Sequence, residues 1–373
     1  MADYLTSAKE YFGTGDLDYF EEVDSFNPKN KVAGLICKAQ SINYGSLFII
    51  SVNGKECLQV VRATPKMHYP FDKNGNWVFP KADKILAYEK LDGTNVLLYS
   101  YIADDYIYLT YKTRLRPFLG ESRFGNFVAM WNLMLKKHPS IPDIAKLNNC
   151  SVSFELYGSL NKHLLLYPVP LDAALLFGRK RDGAVLAPCD MQTLDVPVVP
   201  LIATVDKQYV ENYQWQREQM KNKLVEVEDG YKGVEGQVWY CYTDKGVVQF
   251  KCKPEQVEAI HWTQGIRLSK NSVIVTCWNA LENIDALTYE FVCSLLLEEF
   301  PQEAIDINEK LIRHCMSVVT EEATFKEDVL NRYKESGLSI LKDKVATMRN
   351  LSQYFPREKM GKVYNAVIAS VER

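Results

Sequence analysis

Apolar positions in the first two thirds of the chain fall mostly in short runs with a period of two. Residues 32–39 (VAGLICKA), 46–52 (SLFIISV) and 57–63 (CLQVVRA) read as strands, with Asn53-Gly54 as a type I′ hairpin turn. Residues 1–30 are acidic and aromatic and read as a short helix and a loop. Residues 66–81 are rich in Pro, Gly, Asn and aromatics and read as an ordered loop. Further strands are predicted at VLLYSYI (96–102), YIYLTYK (106–112), SVSFELYG (151–158), DAALLFGRK (172–180), GQVWYCYT (236–243) and GVVQFKCK (246–253). Residues 126–137 (NFVAMWNLMLKK) have helical spacing, and 208–225 form a polar, amphipathic helical stretch. From Pro254 the period changes. Residues 280–371 are almost wholly helix-patterned, and SVIVTCW (272–278) is the strand candidate in the tail.

The most informative stretch is Lys90-Leu91-Asp92-Gly93, inside residues 84–101, where one apolar run leads into the lysine and another follows the glycine. The pattern predicts strand, tight turn, strand, with Asp92-Gly93 supplying the turn. A lysine at the lip of a buried strand pair loses hydration, which is how proteins turn an ammonium into a nucleophile.

Composition narrows the setting. The chain has 373 residues, 47% hydrophobic and 24% charged, enough for two or three domains of an ordinary globular protein. Its net charge of −3 means that a nucleic-acid contact requires a local basic groove. Nine cysteines without a CxxC pair and five scattered histidines suggest neither a zinc site nor a disulfide framework. Reduced thiols in a cytosol-like compartment are the plain expectation, with no signal peptide, transmembrane segment or membrane association.

Five further short elements follow the lysine in order: Lys112-Thr113-Arg114-Leu115-Arg116, Phe154-Glu155-Leu156-Tyr157-Gly158, Leu176-Phe177-Gly178, Val234-Glu235-Gly236 and Phe250-Lys251-Cys252-Lys253. Each has an ordinary explanation alone. Glu155 can face solvent on an edge strand, Phe177 can be a core aromatic, and Lys251 and Lys253 alternate onto one strand face that is usually solvated. Together they supply a nucleophilic lysine, cations for phosphates, carboxylates and an aromatic, the inventory needed to attack a nucleotide α-phosphate.

In this order the motifs resemble the covalent nucleotidyltransferase superfamily of ATP-dependent polynucleotide ligases and mRNA capping enzymes, and within it RNA ligases most. The resemblance covers residues 88–254 and extends to the N-terminal strands. It implies an α+β fold: a nucleotidyltransferase core of ATP-grasp-like antiparallel sheets with helices, followed by an all-helical C-terminal domain. The divisions expected are 1–83, an N-terminal β-containing segment packing on the core; 84–265, the adenylyltransferase domain; and 266–373, the helical domain.

The resemblance also implies roles. Lys90 forms the lysyl-AMP, Glu89 reads the adenine edge, and Asp92 and Gly93 shape the turn. Arg114 contacts nucleotide and nucleic-acid phosphate, with Arg116 a lesser occupant of that role. Glu155 binds the ribose hydroxyls, Phe177 stacks on adenine, Glu235 lies at the catalytic metal, and Lys251 and Lys253 hold the α-phosphate. ATP and Mg²⁺ (or Mn²⁺) are the implied cofactors. RNA 5′-phosphate and 3′-hydroxyl ends are the implied partners, and a homodimer through the helical domain is a candidate assembly. The chain departs from the pattern at Asn43-Tyr44-Gly45, where some phage-type RNA ligases carry Arg-Gly; Arg62 and Lys66 are the nearest basic candidates for orienting pyrophosphate. The helical tail, unlike a β-barrel OB domain, favours RNA ligase over DNA ligase and capping enzyme. A degenerate nucleotide- or nucleic-acid-binding module is the alternative from a different class.

Overall fold

The computed structural model describes residues 2–39, 41–71, 76–121, 125–161, 163, 165–205, 208–220, 225–227, 230–253, 268–297 and 300–371. It is a mixed structure of helices and antiparallel sheets. It divides into two compact units: Met1–Gly120 with Met134–Ala259, and Glu121–Leu133 with Ile260–Arg373. The 265/266 boundary expected from sequence lies outside the described residues.

In the first unit, helix α1 (Ala2–Phe12) precedes a sheet of β1 (Leu17–Val23), β2 (Lys31–Cys37), β3 (Leu47–Val52) and β4 (Lys55–Val61), in that order. β1 corrects the sequence reading of a loop there. Only Phe20 of its seven residues is buried, so its apolar alternation is too weak to announce a strand. The β3–β4 turn has the expected chemistry: Asn53 and Gly54 both have positive φ, 52° and 76°.

The second sheet has the order β10-β9-β8-β6-β7: β10 (Val185–Leu186), β9 (Asp172–Arg179), β8 (Ser151–Tyr157), β6 (Thr94–Ala103) and β7 (Tyr106–Lys112). The third has the order β11-β5-β14-β15: β11 (Leu201–Val205), β5 (Lys84–Lys90), β14 (Gly236–Thr243) and β15 (Gly246–Cys252). A short ribbon joins β12 (Val225–Val227) to β13 (Gly230–Lys232).

Three layers of apolar side chains hold these sheets. Val32, Leu47 and Ile49 of the first sheet meet Leu97, Tyr99 and Tyr101 of the second. Ala174 and Phe177 of the second meet Leu86, Tyr88, Val238 and Tyr240 of the third. The opposite face of the third sheet, with Ile85, Ala87 and Trp239, is covered by Tyr213 and Met220 of the helix Tyr209–Met220. The central strands β2, β3, β6, β8 and β14 therefore alternate their side chains between two buried layers, which explains their near-continuous apolar runs.

β5 and β6 belong to different sheets. Residues 91–93 are thus a crossing between layers and not the hairpin turn that the sequence suggests, and Gly93 has no positive φ. The glycine is required for another reason: a Cβ there would stand 2.2 Å from the Leu156 carbonyl oxygen.

In the second unit the described residues after β15 are helical where ordered into elements, including Lys270–Ala280, Tyr289–Leu296 and the 28-residue Glu309–Ser336. The SVIVTCW stretch is helical and corrects the strand candidate. Ser269 caps its start by accepting from the Ser272 amide, and Val273 and Cys277, four residues apart, are buried. Cap and packing outweigh the β-branched composition. Thr288 and Asp343 cap later helices in the same way. The nine cysteines are free thiols. Among the described residues, no helix is long and apolar enough to cross a membrane.

Candidate active site

Strand register delivers the central contact. Lys90 closes β5 and pairs with Gly236, which opens β14, so the preceding residue, Glu235, arrives beside the lysine. Lys90 Nζ donates to Glu235 Oε2 at 2.5 Å, and Lys253 Nζ stands 3.4 Å from Glu235 Oε1. Lys90 keeps 22% of its side chain exposed, whereas Glu235 and Lys253 are buried. Gly236 permits this approach: a Cβ there would lie 2.5 Å from the Cys252 carbonyl oxygen and 3.3 Å from Lys253 Cα.

Lys251 and Lys253 are both buried, so the ordinary solvated-face explanation does not describe them. The Lys251 amide donates to the His68 carbonyl at 3.0 Å, and its ammonium lies 4.5 Å from the Tyr69 ring centroid.

Two more carboxyls complete the cluster. Asp92 is held from the loop after β8. Its Oδ2 accepts from the Leu165 amide at 2.6 Å, and its own amide donates to the Tyr167 hydroxyl at 2.8 Å. Glu155 lies on β8 opposite Asn95 and Ala174. Burial pushes the Asp92 carboxyl up to about 7, with the charge of Glu235 adding to the effect. Burial likewise pushes Glu155 up to about 8, against the opposing pull of Lys90. Glu89 also rises by burial, and its amide donates to the Pro200 carbonyl at 2.9 Å. Desolvation governs all three carboxyls, and at Asp92 and Glu155 the lysines offset it only in part.

Other expected site residues are more dispersed. Phe177 is 2% exposed and packs in the layer with Tyr88, Leu91 and Tyr240, the surroundings of a core aromatic. The Arg114 guanidinium lies 5.4 Å from the Tyr44 ring centroid, its Nε is buried without a hydrogen-bond partner, and its charge acts on Glu155. Arg116 follows two residues later in the same loop. Arg62 donates to Asn43 Oδ1 and, at 3.0 Å, to the Tyr11 hydroxyl. The Lys66 amide donates to the Ser41 carbonyl at 3.3 Å. Direct contact or charge thus unites Lys90, Asp92, Glu155, Glu235 and Lys253.

Sequence reasoning passes over Tyr167 and the Leu165 amide, which nothing in LLLYPVP marks. It names Lys112 at the head of the Lys112–Arg116 element but gives it no role, although a cation ending the apolar strand YIYLTYK was a signal. Lys112 Nζ is fully buried and donates to the carbonyls of Gly45, Thr113 and Arg114 at 3.0, 2.8 and 2.8 Å. Burial, with Arg114 nearby, pulls it down to about 7.

No group of three or more His, Cys, Asp or Glu among the described residues is arranged as a metal cage. The donor chemistry nevertheless fits a hard divalent cation that shares its shell with phosphates and water. Glu155 is buried, makes no side-chain hydrogen bond among the described residues, and is raised in part by Glu235.

No protein-family model and no curated protein sequence matches this chain. Among solved structures it is similar to an archaeal ATP-dependent RNA ligase, at 15% identity over 81% of this chain and 77% of that one, with a TM-score of 0.46. An Aquifex aeolicus protein described as an ATP-dependent DNA ligase shares 12% identity over 94% of this chain and 88% of that one, with a TM-score of 0.42. A Naegleria gruberi RNA ligase variant, solved with ATP and Mn, shares 19% identity over 47% of this chain and 50% of that one, with a TM-score of 0.32.

Proposed function

We propose that the chain is an ATP-dependent RNA ligase that joins 5′-phosphate and 3′-hydroxyl ends through a lysyl-AMP intermediate. The observation that carries the reading is the Lys90–Glu235–Lys253 contact: an amine at the edge of solvent, a carboxylate 2.5 Å away, and a buried ammonium behind it.

Lys90 Nζ attacks the α-phosphorus of ATP. A P–N bond forms, the P–O bond to pyrophosphate breaks, and the proton leaving Nζ has Glu235 Oε2 beside it. Lys251 and Lys253 stabilise charge on the phosphate oxygens as positioned cations. The AMP passes to an RNA 5′-phosphate, and a 3′-hydroxyl then displaces it to seal the strand. Glu155 and Glu235 would hold Mg²⁺ or Mn²⁺, which when bound neutralises charge on phosphate oxygens. Phe177, Glu89 and Arg114 serve base and phosphate recognition in this reading. The helical character of the described tail supports RNA over DNA ends, since a β-barrel is expected of DNA ligases and capping enzymes.

The test is incubation with radiolabelled ATP or GTP, followed by end joining on nicked duplex RNA, nicked DNA and single-stranded RNA. An AMP adduct on Lys90 is expected, absent in Lys90→Ala and in Lys90→Arg, because a guanidinium is not deprotonated. A full-strength adduct in either variant would falsify the assignment. A GTP adduct favours a capping enzyme, preferential sealing of nicked DNA a DNA ligase, and no adduct at all a binding module.

A further inference from the structure

A second basic cluster lies apart from the lysines. Arg62 follows β4, and Arg179 ends β9. On β9, Arg179 is five residues from Ala174, the partner of Glu155, or about 16 Å along the strand at about 3.3 Å per residue. The two guanidiniums converge on Gly183, in the turn between β9 and β10. A Cβ built on Gly183 would stand 3.7 Å from Arg179 Nη2 and 3.9 Å from Arg62 Nε, with no other atom of the described residues within 4 Å.

The pair is unusual in its partners. Arg179 is only 4% exposed and donates from Nη2 to the Ile42 carbonyl at 3.2 Å. Arg62 spends its terminal nitrogens on Asn43 and Tyr11, and its guanidinium lies 4.8 Å from the Tyr11 ring centroid. Both Nε groups are buried without a hydrogen-bond acceptor. Among the described residues neither guanidinium has a carboxylate within ion-pair distance. Asp182, the nearest acid in sequence, uses Oδ1 to accept from the Ala184 amide. Two like charges that face a shared space, partly desolvated and with donors unspent, are costly unless an anion joins them. Burial first and Arg62 second pull Arg179 down to about 10, against the opposing charge of Asp182.

We propose that Arg62 and Arg179, at the turn where Gly183 carries no side chain, form a phosphate-binding site separate from the lysine pocket. Guanidinium forks match a tetrahedral phosphate better than any other side chain, and neither guanidinium has its full set of donors spent. The phosphate belongs either to a polynucleotide backbone or to a free phosphate ion. The proposal does not depend on the chain being a ligase.

The test uses the full chain with two probes: inorganic phosphate, by calorimetry and thermal melting against chloride at equal ionic strength, and a 5′-hydroxyl RNA decamer, by fluorescence anisotropy across salt. Wild type should bind phosphate and melt higher in its presence. Arg179→Gln and Arg62→Gln should each weaken phosphate binding at least tenfold and abolish the melting shift, while Lys146→Gln, at an exposed lysine paired with Asp143, keeps both. If the source is a polynucleotide, the slope of log affinity against log salt for RNA should also fall by about 0.7 in each arginine variant. If the source is a free ion, the RNA slope stays unchanged. Should Arg179→Gln fail to fold, Arg62→Gln, at a partly exposed side chain, decides alone. Folded variants that bind both probes like wild type, a wild type that binds neither, or loss of the phosphate effect in Lys146→Gln would overturn the proposal.

Discussion

Replacing Glu155 by Gln should stabilise the protein without ligand, and the gain should grow with pH. The Glu155 carboxyl rises from 4.5 to about 8 through burial. Between those values the folded chain holds a proton that the unfolded chain has released, so the folded state binds more protons and stability falls as pH rises. The slope from this one group is about 1.4 kcal/mol per pH unit, and the accumulated cost above pH 8 is about 5 kcal/mol at most. Asp92, raised from 3.8 to about 7, adds a slope of the same sign between about pH 4 and 7. Lys112, lowered from 10.5 to about 7, acts oppositely and only above pH 7, where the unfolded chain holds the extra proton. The window from pH 5 to 7 therefore isolates the carboxyls. Gln keeps the shape but still buries an amide at about 1–3 kcal/mol, so the net gain at pH 8 should be about 2–4 kcal/mol. Urea unfolding followed by tryptophan fluorescence, at half-unit steps from pH 5 to 8, measures it. The variant should lose roughly half of the wild-type slope across pH 5 to 7. An unchanged slope, or a variant less stable than wild type at pH 8, would refute the assignment of a proton-holding carboxyl to Glu155. Nucleotide use should meanwhile fall, if Glu155 binds the ribose or the metal.

Gly93→Ala should destabilise the protein by about 1–3 kcal/mol, because the new Cβ meets the Leu156 carbonyl oxygen at 2.2 Å; unchanged urea unfolding would show that the crossing can shift freely. Phe177→Leu separates two roles through ATP affinity, which falls if the ring also stacks on the base and stays unchanged if it serves the core alone. Its 2% exposure predicts a loss of about 1–2 kcal/mol of stability whichever role it also plays in nucleotide binding, so wild-type unfolding by the variant would contradict the packing described.

Strands β2, β3, β6, β8 and β14 were legible because most of their side chains are buried on both faces, and such runs carry a strong apolar signal. Asn53-Gly54 was legible down to turn type, because only a few dipeptides accept positive φ at both positions. Asp92-Gly93 looked the same and was different. A local dipeptide does not reveal whether the two strands around it share a sheet, and here β5 finds its partners at β11 and β14, more than a hundred residues away. Leu17–Val23 was missed because only one of its side chains is buried. SVIVTCW was misread because its helix rests on the Ser269 cap and on packing with no trace in local propensity.

The same distinction governs the site. Residue types and their order could be read directly, and from them the lysines, carboxylates and aromatic were named. Which of these share one desolvated space is a matter of register. Lys90 meets Glu235 because Lys90 pairs with Gly236, and Lys253 joins them because β15 returns alongside β14. A slip of one residue in either pairing would turn these side chains to the opposite layer, among Trp239 and Tyr213. The supporting groups lie further from sequence still. The Tyr167 hydroxyl and the Leu165 amide hold Asp92 through a loop whose residues carry no chemical signature, and Lys112 acts on backbone carbonyls, which every residue has. Burial then changes what the named groups are. Burial pushes the Glu155 carboxyl up to about 8, and no motif spacing reports that. The chemistry was thus legible as an inventory, while the protonation states on which it operates belong to the packing of two sheets.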